Sequence, residues 1–455
     1  MLLSDVSHPA PSLPPGLNNM FGFQVFNSLS FQIILSSPML LYAKSLGASA
    51  TVLGLITGMM PLLVIAQIPA AKHVARVGYR RFIFMGWGTR VGFIFVLALV
   101  PLGGEYLSNP ARIGLVLFLL FGFNLARGIS SAAWLPWVTT LVPDAVRGRY
   151  LTREAAFANL GSFGAFLLAA SYLGQQSSGE IETHRFAALF AFSAVMGAIS
   201  LTFLRHIPSP PAPEDEMRNS REPVPWREIA RYAPFRKLLF VNAIFALAMG
   251  GVGTFVVDFL KSSGGLSEGR ILLVSAMSFI GGLSSLWVLG SRLDRFGSRP
   301  VMQAAMAGWF LILTGWVLIA GRVVPAWMEL LCTLHFLMGL CGSLFGMAAT
   351  RLAMATVPVM GRSHFFALYS VISSLTLGLS PVLWGALIDL IRPLGVMGWL
   401  GAQWNAFSLA FAAMAVVGLV PLPFCRHLVE PQAAKVEDLL RDLFQQPLVR
   451  LWLRR

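Results

Sequence analysis

The residues with most chemistry to offer in this chain are a few ionisable and amide side chains set inside long apolar runs. Arg127 lies in such a run, with Asn124 three residues earlier and therefore on the same face if the run is helical. A guanidinium in hydrocarbon is costly unless it is hydrated or paired. Arg127 can therefore attract an anionic group through its planar fork, or bond to carbonyls of a neighbouring segment. His335 lies in another apolar run and can titrate near neutral pH, which makes it a candidate for substrate contact or proton transfer, with a satisfied core histidine as the alternative. Gln24, Asn27 and Ser28 fall at i, i+3 and i+4, a polar stripe that lines water or bonds to a neighbour. Trp134 and Trp137 flank Pro136 and could stack on a ligand or sit in an interfacial belt; Asn242 is a further lining candidate and Arg90 a weaker one. Asp258 and Asp389 each precede a basic residue, Lys261 and Arg392, by three positions and read as surface pairs rather than proton carriers.

The elements that must position these residues follow from composition. Of the 455 residues, 56% are hydrophobic and 12% charged, and the mean hydropathy is +0.71. A soluble protein carries roughly a quarter charged residues, so an ordinary cytosolic enzyme is excluded. The apolar runs match the ~20 residues with which a helix crosses ~30 Å of hydrocarbon. The expected fold class is an all-α polytopic membrane protein of twelve transmembrane helices. Spans are expected near 20–43, 51–71, 82–103, 113–138, 154–174 and 185–204, then 238–260, 269–290, 300–320, 327–350, 365–390 and 403–424. Residues 154–174 are read as starting at Glu154, so that the first-half helices hold no central carboxylate beside Arg127.

The charge of +14 sits in the loops rather than on one exposed face, so nucleic acid is not an expected partner. Cys332, Cys341 and Cys425 read as core residues, no cofactor or metal is expected, and no nucleotide-binding glycine loop is present. Residues 1–19 lack Lys and Arg and hold three prolines, which reads as an uncleaved cytoplasmic segment. Loop Lys and Arg gather on alternate sides. Lys72, Arg76, Arg80 and Arg81, then Arg147, Arg149 and Arg153, the central linker and the tail fall on one side, which predicts cytoplasmic termini. The linker, 205–237, divides the chain into bundles of 20–204 and 238–424. Residues 425–455 read as a basic amphipathic tail on the inner leaflet.

The halves repeat. Lys44 and Gly47 stand to Lys261 and Gly264 at one offset, and Arg76-Val77-Gly78-Tyr79-Arg80 parallels Arg295-Phe296-Gly297-Ser298-Arg299. Two bundles of like orientation imply a pseudo-two-fold axis along the membrane normal and a path between them. The run from Gly290 through Asp294, Arg295, Gly297 and Arg299 resembles the signature of the major facilitator superfamily, and the resemblance extends over residues 20–424. The first-half copy keeps Arg76, Gly78 and Arg80 but has Ala75 where the signature has its acid. The resemblance implies alternating access, with Asp294 latching one face against the start of the eleventh span and Arg351 as its partner. It implies a small-molecule substrate, the bilayer as environment, a coupling ion such as the proton, and a monomer. Arg127 favours an anionic solute. The rival readings are an exporter of amphipathic compounds or lipids, and a receptor or assembly factor that does not transport.

Overall fold

The computed structural model describes residues 17–142, 144–174, 180–209, 231–289, 295–356, 362–399, 401–430, 434 and 436–445. Among them are twelve helical segments long and apolar enough to cross a membrane. Spans 1 to 6 are Asn18–Ser45, Ala50–Val74, Tyr79–Leu99, Asn109–Leu141, Arg153–Leu173 and His184–Arg205. Spans 7 to 12 are Ala233–Ser262, Glu268–Leu286, Ser298–Ala320, Met328–Thr356, Leu368–Leu394 and Ala406–Cys425.

Four spans are interrupted where the sequence demands it. Span 1 breaks at Ser36, two residues before Pro38, whose ring cannot follow a helical carbonyl four positions back. Span 4 breaks at Ala132 and Ala133 ahead of Pro136 for the same reason. In span 2, Pro61 precedes a short 3-10 turn over Leu63–Ala66. Span 7 divides at Gly250 and Gly251, where Ala233–Met249 ends and Val252–Ser262 begins. Span 11, by contrast, stays one helix through Pro381.

Spans 1 and 5 pack on each other, as do 1 and 6, 3 and 6, and 3 and 4; in the second half 9 packs on 10 and 12, and 7 on 11. The halves meet through span 2 on span 11 and span 5 on span 8. The first of these contacts is backbone to backbone: a Cβ on Gly54 would sit 2.1 Å from the Pro381 carbonyl oxygen, and one on Gly385 2.5 Å from that of Ala50. Small residues at such seams let helices approach closely where no hydrophobic effect drives them together.

Every hydrogen bond and ion pair between the halves, among the described residues, lies toward the end where span 1 finishes. Ser37 donates to Ser275 over 3.4 Å, Thr254 pairs with Thr57 over 3.1 Å, and Lys44 meets Asp258 over 2.6 Å. The opposite end, which carries both chain termini, has no such tie among the described residues. Among the described residues, then, the ties between the halves gather at one end, called here the closed end.

Several boundaries differ from the sequence expectation. The helix of span 7 starts at Ala233, inside the expected linker, and the helix of span 5 starts at Asp144, well before Glu154. A loop boundary drawn from hydropathy falls at the charged residues, whereas a helix can continue past them through the headgroup layer.

Candidate functional site

Below the closed end lies a pocket of about 260 Å³ between the halves. The first half contributes Ser36 and Ser37 from the break in span 1, Thr57 from span 2 and Phe166 from span 5. The second contributes Thr254 just after the glycine pair of span 7, Ser275, Ser278 and Phe279 of span 8, and His335 of span 10. The breaks at Ser36 and Gly250 are what turn these hydroxyls toward a common space. No carboxylate, ammonium or guanidinium lines it.

His335 is 4% exposed and its Nδ1 lies 3.1 Å from the Leu331 carbonyl. A carbonyl only accepts, so Nδ1 carries the proton and Nε2 remains an acceptor. Trp316 meets the imidazole edge-on with centroids 5.4 Å apart and fixes its plane. The ring is thus a rigid neutral acceptor beside a set of hydroxyl donors.

The closed end is held by Asp258 and Asp389. The Asp258 carboxylate is fully buried between Lys44 at 2.6 Å and Arg392 at 3.6 Å. Asp389 accepts from the backbone N–H of Ala50 and of Thr51 at 3.1 and 2.8 Å, and from the Thr51 hydroxyl at 2.7 Å. It caps the start of span 2 from the other half, where orphan donors and the helix dipole favour an anion. The reading of these two acids as local surface pairs is corrected here. Lys261 pairs with Glu268 instead, and although Asp389 does approach Arg392 at 3.8 Å, its main partners lie across the seam. Three-residue spacing identifies a possible neighbour on one helix but cannot see a partner some 200 or more positions away in sequence.

The other sequence candidates divide. Arg90 is 2% exposed, donates to Asn27 Oδ1, and lies over Trp87 and Phe123 at 5.1 and 5.4 Å from their centroids. Asn27 is therefore committed to Arg90 inside the first bundle and does not line the pocket. Asn124 donates to its own Leu120 carbonyl over 2.9 Å. Trp134 belongs to an aromatic cluster with Phe23 and Trp87, at 5.6 and 5.2 Å, and is not free to stack on a ligand there. Asn242 donates to Ser373 over 2.6 Å and ties span 7 to span 11. Gln24 is half-buried on span 1.

Arg127 is half-buried and has no side-chain partner among the described residues. Counting along helices from the closed end, it sits roughly 27 Å down span 4, against roughly 10 Å for His335 down span 10. It therefore lies well away from the pocket, toward the end that carries the chain termini, and does not line it. The helix of span 5 starts at Asp144, ahead of the span itself, and Glu154, the second residue of that span, is half-buried.

At the terminus-bearing end, Gly78 and Gly297 open spans 3 and 9 with φ of 85° and 87°, a conformation that favours glycine. Arg299 reaches the Arg426 carbonyl at 3.4 Å, while Glu430 accepts from the backbone of Ser298 and Arg299, both at 2.8 Å. Gly290 and Asp294 lie outside the described residues. Arg295 is exposed and lies over Phe296 at 4.9 Å, Arg76 is exposed, and Arg351 is half-buried. The acid seen at the start of span 9 is thus Glu430, from beyond span 12, a position for which no local sequence pattern gives a signal. In the tail, the helix Val436–Gln445 packs Leu439 at 3% exposure against the bundle, and residues 446–455 lie outside the described residues.

Two overlapping stretches, residues 20–286 and 238–454, match the sequence profile of the Major Facilitator Superfamily. The chain belongs to the major facilitator superfamily. It is accordingly a multi-pass membrane transporter and not an enzyme. No curated protein matches it in sequence. Among solved structures, a mutant of the nucleoside transporter NupG is similar at 12% identity, over 91% of this chain and 100% of that one, with a TM-score of 0.67. A bacterial homologue of the human lysosomal transporter Spinster, inward-facing and unoccupied, is similar at 14% identity over 95% and 99% of the chains, with a TM-score of 0.68. The xylose transporter XylE from E. coli, in an inward-open conformation, is similar at 14% identity over 93% and 98%, with a TM-score of 0.62. At such identities the likeness is one of fold.

Proposed function

We propose that this superfamily member carries a small hydroxyl-bearing organic solute, of sugar or nucleoside type, across the inner membrane by alternating access driven by an ion gradient. The observation that carries the reading is the closed-end pocket. Its volume of about 260 Å³ equals roughly that of nine waters, and its lining of hydroxyls, one neutral imidazole and two phenyl rings complements a polyol face and a flat apolar face. Those features also count against lipids and large amphipathic compounds. The nucleoside and xylose transporters among the similar folds support the same class. The path lies between the two halves of one chain, which supports a monomer as the working unit.

The Lys and Arg of the loops support an orientation with both termini cytoplasmic, so that the closed end faces outward. Release of the ties at Asp258 and Asp389 is then the step that admits solute to the pocket from outside. Transport rather than reception is supported by a seam built of reversible ion pairs and one helix cap.

A solute bearing an acidic group is the second reading, favoured by Arg127. Its guanidinium has no partner among the described residues and lies along the inner path, where it can bind such a group bidentately. A thermal-shift screen of neutral sugars, nucleosides and the corresponding acids, followed by uptake into proteoliposomes, separates the readings. The first expects stabilisation by neutral solutes, lost in Ser275→Val and His335→Phe and kept in Arg127→Lys. Stabilisation by acids alone, lost in Arg127→Lys, replaces it with the second. Specific binding without uptake returns the receptor reading.

A further inference from the structure

A second cavity, of about 540 Å³, lies at the terminus-bearing end of the second half, between span 9, span 12 and the start of the tail helix. Span 9 lines it with Arg299, Gln303 and Ala307, which at i, i+4 and i+8 share one helix face. Span 12 lines it with Leu422 and, just past its end, Arg426. Both faces run from charged to apolar. With ~1.5 Å of rise per residue, Gln303 and Leu422 lie roughly 6 Å deeper than the two arginines, and Ala307 roughly 12 Å deeper. Polarity in the cleft therefore falls with depth as it does along a phospholipid, from phosphate through ester to acyl chain.

The polar groups are free to receive a ligand. Arg299 is half-buried and spends one N–H on the Arg426 carbonyl at 3.4 Å. The Arg426 guanidinium and the Gln303 amide have no partner among the described residues. Glu430 is committed to the backbone N–H groups of Ser298 and Arg299. The tail helix, Val436–Gln445, carries Glu437, Asp438 and Asp442 against a single Arg441, so attraction for an anion falls to the two arginines rather than to the tail. Of these acids Glu437 alone lines the cleft, which leaves two guanidiniums against one carboxylate.

The first half has filled the matching place. Four residues on from Arg80 stands Phe84, where four residues on from Arg299 stands Gln303. Arg205, whose carbonyl receives Arg80 as that of Arg426 receives Arg299, lays its guanidinium over the Phe84 ring at 5.9 Å. A phenyl ring and a stacked arginine thus sit below the clasp in the first half. In the second an amide stands there, and Arg426 has no ring partner among the described residues.

We propose that this cleft is a binding site for an anionic glycerophospholipid of the adjoining leaflet. The phosphate sits between Arg299 and Arg426, whose planar forks each donate more than one N–H to it. The Gln303 amide donates to an ester carbonyl, and the acyl chains leave along Ala307 and Leu422 into the bilayer. Glu437 at the rim accepts from headgroup hydroxyls, which a glycerol headgroup has and a choline headgroup lacks. The site lies at the opposite end from the pocket around His335, so it joins spans 9 and 12 to the tail without touching the solute.

The test needs no solute. The purified protein is melted in nanodiscs of phosphatidylglycerol or phosphatidylcholine, and the lipid it retains is counted by native mass spectrometry. Arg426→Gln removes one cation and leaves the carbonyl that Arg299 uses. Gln303→Phe keeps every charge and refills the cleft on the pattern of the first half. Arg81→Gln removes an exposed cation of the same end outside the cleft. Phosphatidylglycerol should be retained in preference to phosphatidylcholine and should raise the melting temperature. Retention should fall about fivefold in Arg426→Gln, the effect of one interfacial cation, fall at least as far in Gln303→Phe, and stay unchanged in Arg81→Gln. Inorganic phosphate or glycerol 3-phosphate alone should give none of the stabilisation. An equal loss in Arg81→Gln would reduce the effect to the general charge of that face, and full stabilisation by free glycerol 3-phosphate would make the cleft a soluble-phosphate site. Undiminished retention in a folded Gln303→Phe, or in Arg426→Gln if the phenylalanine variant does not fold, would place the lipid elsewhere. Each of these overturns the proposal.

Discussion

The two halves of this transporter solve the same local problem with different parts. Each opens its third helix on a left-handed glycine, Gly78 or Gly297, and each then sends an arginine to the carbonyls that end its sixth. Arg80 reaches the carbonyls of Arg205 and Ile207 at 3.3 and 3.4 Å, and Arg299 reaches that of Arg426 at 3.4 Å. The exposed helix start is completed differently. In the second half a carboxylate, Glu430, takes two backbone N–H groups at 2.8 Å, whereas in the first the Ser209 hydroxyl faces the Arg80 N–H at 3.5 Å. Buried charge is divided in the opposite sense. The first half holds Arg90 within its bundle, bonded to Asn27, while the second keeps Asp258 and Asp389 at the closing seam. A repeat can thus preserve the guanidinium-to-carbonyl clasp that its backbone shape requires, while the ionisable groups drift to the tasks that distinguish the halves.

The largest effect should come from the seam. Asp258→Ala leaves Lys44 and Arg392 facing each other without their shared acid, and because both cations keep contact with solvent the cost should be about 1.5–3 kcal/mol. The expected result is a shift toward opening at the closed end, read by cysteine accessibility on either side of the pocket; unchanged accessibility would remove Asp258 from the gate. Asp389→Ala should act in the same direction by about 1–2 kcal/mol, the worth of a helix cap, because Ala50 and Thr51 lose their acceptor. If melting temperature falls while accessibility stays constant, the cap serves stability alone.

Arg90 and Arg127 sharpen the contrast within the first half. Arg90→Ala removes a guanidinium packed between Trp87 and Phe123 and bonded to Asn27, and should lower stability by about 2 kcal/mol or more. Arg127→Ala removes a charge with no partner among the described residues and should leave melting unchanged or raise it slightly; comparable losses in both would mean that Arg127 is structural too. The smallest difference is expected at the matching turns. Glu430→Gln should cost about 1 kcal/mol and Ser209→Ala only a few tenths, which paired unfolding curves of the two variants would resolve.

Twelve spans, two halves, the superfamily and the burial of His335 inside a span can be read from the sequence alone. Each rests on local features: run length against bilayer thickness, a repeated turn motif, one imidazole in an apolar run. The helix breaks at Pro38 and Pro136 are equally local in cause. Tertiary structure alone decided which end is closed, that Asp258 and Asp389 join the halves, and that Asn27 and Trp134 belong to the first bundle rather than to the path. It also brought hydroxyls from spans 1, 2, 7 and 8 into one pocket. Serines and threonines are common in membrane helices and carry no pattern of their own. Their convergence depends on helix rotation and crossing, which packing across the seam sets and no single helix encodes.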